Sequence, residues 1–292
     1  MLKVGRHSKI ISNLGAHVSI AGGFDLAIDR ALSVGCGVMQ IFVKSNRQWF
    51  APPLKKEMCR PFLEHPRRKE LQCIFAHSGY LINPAAPEGD VRKKSIRALI
   101  EELQRADQLQ LPFLVLHPGA HLGAGVEEGI RRVVKALDEA VEKTSHAKTC
   151  IALETTAGQG TSIGHELEHL ASILEKVKQS KRFCVCVDTA HLFAAGYEIH
   201  KEKGYQKTVS RLDQLIGLKQ VAAFHLNDSK TALGSRVDRH EHIGKGKIGL
   251  STFRWLLNDK RFFTIPKVLE TPKSEDMHED RENLRRLYQL LK

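Results

Sequence analysis

No apolar run in this 292-residue chain approaches the length needed to span a bilayer, which excludes a transmembrane helix. Met1 to Ser12 is basic but lacks the uninterrupted apolar core of a signal peptide, so export is not expected. The six cysteines, Cys36, Cys59, Cys73, Cys150, Cys184 and Cys186, form no CxxC pair. Four of them lie in strand-like apolar runs, a pattern of reduced, buried thiols in a cytoplasmic protein. No Pro- or Ser-rich linker divides the chain. One domain over residues 13–292 is therefore expected, with residues 1–12 as a short basic extension.

Positive charge is plentiful. Lys and Arg number 45 against 33 Asp and Glu, a formal net charge of +12, with 15 histidines besides. That excess points to a polyanionic partner, nucleic acid or an anionic surface, against the plainer reading of a basic coat kept for solubility.

Short β-rich runs alternate with segments of helical periodicity along the chain, the mark of repeated βα units around a parallel sheet. Ile96, Leu99, Ile100, Leu103 and Ala106 keep one apolar helix face. Ile130, Val133, Val134, Leu137 and Val141 keep another. The strand candidates are NLGAH, VMQIFV, QCIFA, FLVLH, CIALE, FCVCVD, VAAFH and KVLE. Eight strands with intervening helices in a chain of this length predict a (β/α)8 TIM barrel, ahead of a doubly wound open sheet.

Most of those runs deliver a His, Asp or Glu at or just past the C-terminal end. IFAH ends at His77, FLVLH at His117, CIALE at Glu154, AAFH at His225 and VLE at Glu270. VCVDTAH supplies Asp188 and His191, and SRVDRH, in the loop after His225, supplies Asp238 and His240. One polar residue at a strand end is ordinarily a hydrogen-bond partner or a loop start. Nine are another matter, because in a parallel barrel all strand C-terminal ends open onto one face.

Imidazole and carboxylate donors without thiolate suit Zn(II), with Mn(II) or Fe(II) as substitutes. Asp238 and His240 are two apart, which in an extended segment puts both on one side, able to chelate a single ion. Asp188 and His191, three apart, can aim at neighbouring ions. Four converging carboxylates repel one another unless cations or protons arrive, so metal is expected to stabilise the fold. Three divalent ions against four carboxylates would leave about +2, suited to a phosphodiester and a hydroxide.

The blocks HSGYLIN, LHPGAH, ETTAGQG, VDTAHLFAAGY, FHLNDSK and GSRVDRHEHIGKGKIG resemble those of the endonuclease IV family of apurinic/apyrimidinic endonucleases. The likeness runs from GAHVSIAGG at residue 15 to VLETP at 268–272. It implies that His77, His117 and Glu154 hold a first zinc, and that Glu154 bridges to a second held also by Asp188, His225 and Glu270. His191, Asp238 and His240 would hold a third. The implied reaction is hydrolysis of double-stranded DNA on the 5′ side of an abasic site, leaving a 3′ hydroxyl, together with removal of blocking groups from 3′ ends. Attack on phosphorus would be in line, with Glu154 and Glu270 the carboxylates nearest to assist.

In KSNRQWF, Arg47, Gln48 and Trp49 offer a cation, an amide and a flat ring in one loop. The resemblance implies that Arg47 and Gln48 penetrate the DNA and that Tyr80 joins them, while Trp49 reads as a buried anchor of the loop. Lys44, Lys230, Arg236, Lys245 and Lys247 lie in the same set of loops as candidate phosphate contacts. GKGKIG lacks the Walker spacing. His165 to His169 reads HELEH and matches the zinc-protease pattern, but Leu167, Leu170, Ile173 and Leu174 would face inward there, leaving both histidines on the solvent side.

Two rivals stand beside the nuclease: a metal-dependent sugar isomerase on a TIM barrel, and a non-catalytic zinc DNA-binding protein. The first leaves the charge and the RQW loop without a purpose. The second conflicts with the open positions expected on three-ligand zincs. A barrel with one exposed DNA face is expected to work as a monomer.

Overall fold

A computed structural model describes residues 13–292, so the extension expected over 1–12 lies outside the described residues. Eight parallel strands close into a barrel: β1 (Leu14–His17), β2 (Val38–Phe42), β3 (Cys73–His77), β4 (Phe113–Leu116), β5 (Cys150–Glu154), β6 (Phe183–Asp188), β7 (Val221–His225) and β8 (Lys267–Leu269). Each strand pairs with its sequence neighbours, and β1 closes the ring against β8 with Ala16 opposite Leu269. All eight lie where the apolar runs place them.

Among the described residues nine α-helices surround the barrel: α1 (Phe24–Ser33), α2 (Lys56–Leu63), α3 (Asp90–Gln108), α4 (Val126–Lys143), α5 (Leu167–Lys176), α6 (Thr189–Ala195), α7 (Glu202–Leu215), α8 (Leu250–Asn258) and α9 (His278–Gln289). The expected apolar faces of α3 and α4 are buried at Leu99, Leu103, Ala106, Val133, Leu137 and Val141, with Ile100 and Val134 partly covered at the edge. An antiparallel two-residue ribbon, Asp228–Ser229 with His240–Glu241, folds over the barrel mouth after β7.

Two packing layers form. The larger lies between strands and helices, and a smaller one fills the barrel with Val38, Phe75, Phe113, Val115, Ala152, Cys186, Ala223 and Val268. Phe75 and Phe113 stack there with centroids 4.6 Å apart. Because strand side chains alternate, the residue two further along each strand points into the same interior one layer higher. Val38 is thus followed by Gln40, Phe75 by His77, Val115 by His117, Ala152 by Glu154, Cys186 by Asp188, Ala223 by His225 and Val268 by Glu270. The same step from Gly15 leads to His17. The apolar plug ends in a polar layer supplied by all eight strands.

All six cysteines are free thiols. Cys36, Cys59 and Cys186 are buried as expected, whereas Cys73, Cys150 and Cys184 are only partly covered, because each sits at or near the open N-terminal end of its strand.

Candidate metal centre and nucleic-acid face

Glu154 stands at the middle of the polar layer, fully buried. Its Oε2 lies 3.1 Å from His77 Nε2 and 2.9 Å from His117 Nε2, and its Oε1 lies 2.8 Å from His225 Nδ1. His225 Nδ1 is also 3.2 Å from Glu270 Oε2 and 3.8 Å from Asp188 Oδ2. Asp188 Oδ2 is in turn 3.8 Å from His240 Nε2, and Asp238 comes within 3.1 Å of His191 and 3.2 Å of His240. The donors fall into three groups that share members: His77, His117 and Glu154; Glu154, Asp188, His225 and Glu270; Asp188, His191 and His240. All nine residues named from the sequence converge at this one place.

Local structure explains the aim of each side chain. Asp188 ends β6 and caps α6, its Oδ1 accepting from the His191 backbone N–H at 2.8 Å, so the DTAH spacing is the first turn of a helix. Four histidines have one ring nitrogen engaged away from the cluster. His77 Nδ1 donates to the Ser78 carbonyl, His191 Nδ1 to the Thr155 carbonyl and His240 Nδ1 to the Glu270 carbonyl. His225 is turned around, its Nε2 donating to Gln40 Oε1 at 2.8 Å and its Nδ1 facing the carboxylates. Such outward hydrogen bonds fix the tautomer and free the other nitrogen as a ligand.

The Nε2 atoms of His191 and His240 are buried and make no hydrogen bond, although Asp238 lies close to both. An unsatisfied buried polar atom costs about 1–3 kcal/mol. Two of them, aimed at shared carboxylates, fit a divalent cation bound by nitrogen and oxygen donors, with no thiolate among the donors.

The charges are mutually dependent. Burial alone would lower the His77 and His240 pKa values, yet the neighbouring carboxylates outweigh it and hold both up at about 9. His191 and His225 are raised for the same reason. Burial opposes ionisation of Glu154 and Glu270, but the imidazoles, His225 first, hold both well below the usual carboxylate range. Protons on these histidines occupy the role that cations would take.

A cleft of about 650 Å³ opens beside the cluster, lined by His77, Tyr80, Asn83, His117, Gln159 and Arg239 among others. Tyr80 is 65% exposed at its rim and packs edge-on against Phe42. Arg47 and Gln48 are exposed, while Trp49 is half-buried against the core, the anchor expected of it. Lys230, Arg236, Lys245 and Lys247 are exposed.

The chain matches the Xylose isomerase-like TIM barrel family model over residues 28–291. A Chloroflexus aurantiacus protein described as a probable endonuclease 4 is 50% identical over 277 residues, covering 95% of this chain and 97% of the relative. The chain belongs to the endonuclease IV family. A Geobacter sulfurreducens protein of the same description is 48% identical over 279 residues, covering 96% of this chain and 94% of the relative. The crystal structure of endonuclease IV from Thermus thermophilus superposes with a TM-score of 0.84 at 32% identity, covering 95% of this chain and 98% of that one.

For this endonuclease IV chain, two sequence expectations need correction. Lys44, read as a phosphate contact, is 5% exposed: its ammonium lies 2.8 Å from Glu102 and donates to the Gln48 carbonyl at 2.7 Å, so no free charge faces solvent. His165 and His169, placed on the solvent side, are mostly covered and pack ring to ring at 4.8 Å. The helix begins only at Leu167, so HELEH straddles a helix start rather than lying on one helix face, although His165, Glu166 and His169 still bring their donor atoms within 4.8 Å of one another.

Other residues at the site went unread. Gln40 is fully buried and donates from Nε2 to Glu270 Oε1 at 2.5 Å and to His17 Nδ1 at 2.8 Å. Asn227 donates to Asp188 Oδ2 at 2.6 Å and accepts from the Glu270 backbone N–H at 2.8 Å. Gln159 accepts from the Asp238 backbone N–H at 3.0 Å. A lone glutamine in an apolar strand and a histidine ending GAH were the available signals. The amides of GKGKIG are already taken: Asp228 accepts from the backbones of Gly244, Gly246 and Ile248, so that loop is built around a carboxylate.

Proposed function

We propose that this protein is a metal-dependent endonuclease that hydrolyses the phosphodiester 5′ to an abasic site in duplex DNA, leaving a 3′ hydroxyl and a 5′ deoxyribose phosphate. Removal of blocking groups from 3′ ends is the same hydrolysis at the same site. The observation that carries the reading is the set of three donor groups sharing Glu154 and Asp188 beside an open cleft. The family names attached to its relatives agree with it.

In this reading three zinc ions would be held by His77, His117 and Glu154, by Glu154, Asp188, His225 and Glu270, and by His191 and His240 together with Asp238, which lies 3.1 Å from His191 and 3.2 Å from His240, with Mn(II) or Fe(II) as substitutes. Bound zinc supplies Lewis acidity, bringing the deprotonation of water near neutral pH and offsetting the charge of a phosphodiester. Glu154 and Glu270, held ionised, accept and orient the proton of the attacking water. Gln40 keeps the Glu270 carboxylate aimed, and Asn227 does the same for Asp188.

The exposed face supplies recognition. Arg47 and Gln48 at one side of the mouth and Tyr80 at the rim would enter the duplex, where a nucleotide without a base leaves the stack at a cost lower by a few kcal/mol. Lys230 and Arg236 would meet phosphates, and the net charge of +12 favours the association. One such face suits a monomer. Incision of a duplex with a single abasic analogue, with the cut mapped to the 5′ side, tests the reading.

A further inference from the structure

Helix α3 grips the loop between β2 and α2 at several points. Arg105 donates to the carbonyls of Val43 and Pro52, each at 2.8 Å, and Glu101 accepts from the Ala51 backbone N–H at 3.0 Å. The Arg97 guanidinium sits 4.2 Å over the Phe50 ring. These contacts hold the ends of the loop. Its middle, which carries Arg47 and Gln48, is held by Lys44 and Glu102.

That pair does more than anchor one loop. The Lys44 and Glu102 side chains are 3% and 1% exposed, with Nζ 2.8 Å from Oε1. Lys44 donates to the Gln48 carbonyl at 2.7 Å. Glu102 accepts from the Gly79 backbone N–H, at 3.0 Å to Oε2, and Gly79 precedes Tyr80. A chain of three contacts thus runs from the Gln48 backbone through Lys44 and Glu102 to the backbone beside Tyr80. The fit is close: a Cβ on Gly79 would lie 3.1 Å from Glu102 Oε1 and 3.5 Å from Lys44 Nζ.

A buried ion pair is a poor route to stability, since apolar groups of similar volume do as well or better. It is directional, however, and fixes the spacing of two segments that share no β-ladder above the strand ends. We propose that Lys44 and Glu102 are positioning residues that set the Arg47–Gln48 loop against Tyr80, and so determine affinity for abasic DNA without taking part in hydrolysis. The proposal rests on the endonuclease reading above.

The test is steady-state incision of a duplex carrying one tetrahydrofuran abasic analogue by zinc-loaded wild type and by the Lys44→Met, Glu102→Gln double variant, which leaves no unpaired buried charge. Melting temperature and zinc content are measured on the same samples. The expected result is a KM raised about tenfold or more with kcat within about threefold and zinc unchanged, since a small misplacement of binding groups is enough for such a loss. An unchanged KM overturns the proposal, as does a fall in kcat that tracks zinc loss. Should the double variant fail to fold, Gly79→Ala, which crowds the pair, is read by the same split, and an unchanged KM there also overturns it. Wild type that does not incise the duplex would instead remove the endonuclease reading, and the proposal with it.

Discussion

His225 turns Nδ1, not Nε2, toward Glu154, at 2.8 Å, because its Nε2 is committed to Gln40 Oε1. The orientation of a central donor is therefore set by an uncharged residue on a different strand, and the same Gln40 amide also holds Glu270.

Gln40→Leu removes the hydrogen bonds to His225 and Glu270, and the one to His17, without removing any charge. Outer partners of metal ligands are ordinarily worth 10- to 100-fold in affinity or activity, so zinc affinity is expected to fall by about that factor. Competitive titration with a zinc chelator measures it. Wild-type affinity in the variant would mean that His225 and Glu270 hold their places unaided.

Glu270→Gln keeps shape and volume but loses the charge that helps to hold the imidazoles protonated or a cation bound. The protein is expected to remain folded while incision falls by about 10²-fold or more. Near-normal turnover at full zinc content would remove Glu270 from the chemistry.

The pH response has a definite sign. His77 and His240 have folded-state pKa values raised to about 9 from 6.5, so in metal-free protein their contribution is complete below 6.5 and is lost as pH rises through about 9. Zinc competes with the same protons, so its stabilisation grows over that interval. Thermal melts with chelator and with zinc are expected to diverge from pH 6.5 to about 9. A gap that narrows with rising pH would mean that these imidazoles are not where metal and proton compete.

Replacing Arg47 and Gln48 together by Ala is expected to weaken binding to abasic duplex while zinc content stays unchanged. Binding by the wild type should also weaken with salt, at a log–log slope of about −0.9 per phosphate contacted. Zinc loss in the variant would make the loop structural, and a flat salt response would detach the +12 charge from DNA.

The strands and the charged donors were legible because most of the apolar runs end in an ionisable residue, and strand alternation carries that residue into the barrel mouth. Gln40, Asn227 and Gln159 were not, since an uncharged amide gives no signal of its partners until the strands are side by side. Lys44 was misread for a related reason: nothing near it in the chain announces Glu102, which reaches it from α3. HELEH was set on the solvent side on the premise of a continuous helix, whereas α5 starts at Leu167, after its first histidine, and His169 lies on a buried face of that helix.

The most direct measurement is incision of a duplex with one abasic analogue, without added magnesium, before and after chelator treatment, with metal counted on the same sample. Cleavage 5′ to the lesion that disappears with the loss of about three zinc ions per chain is the result predicted. No cleavage at a full zinc complement would contradict the account.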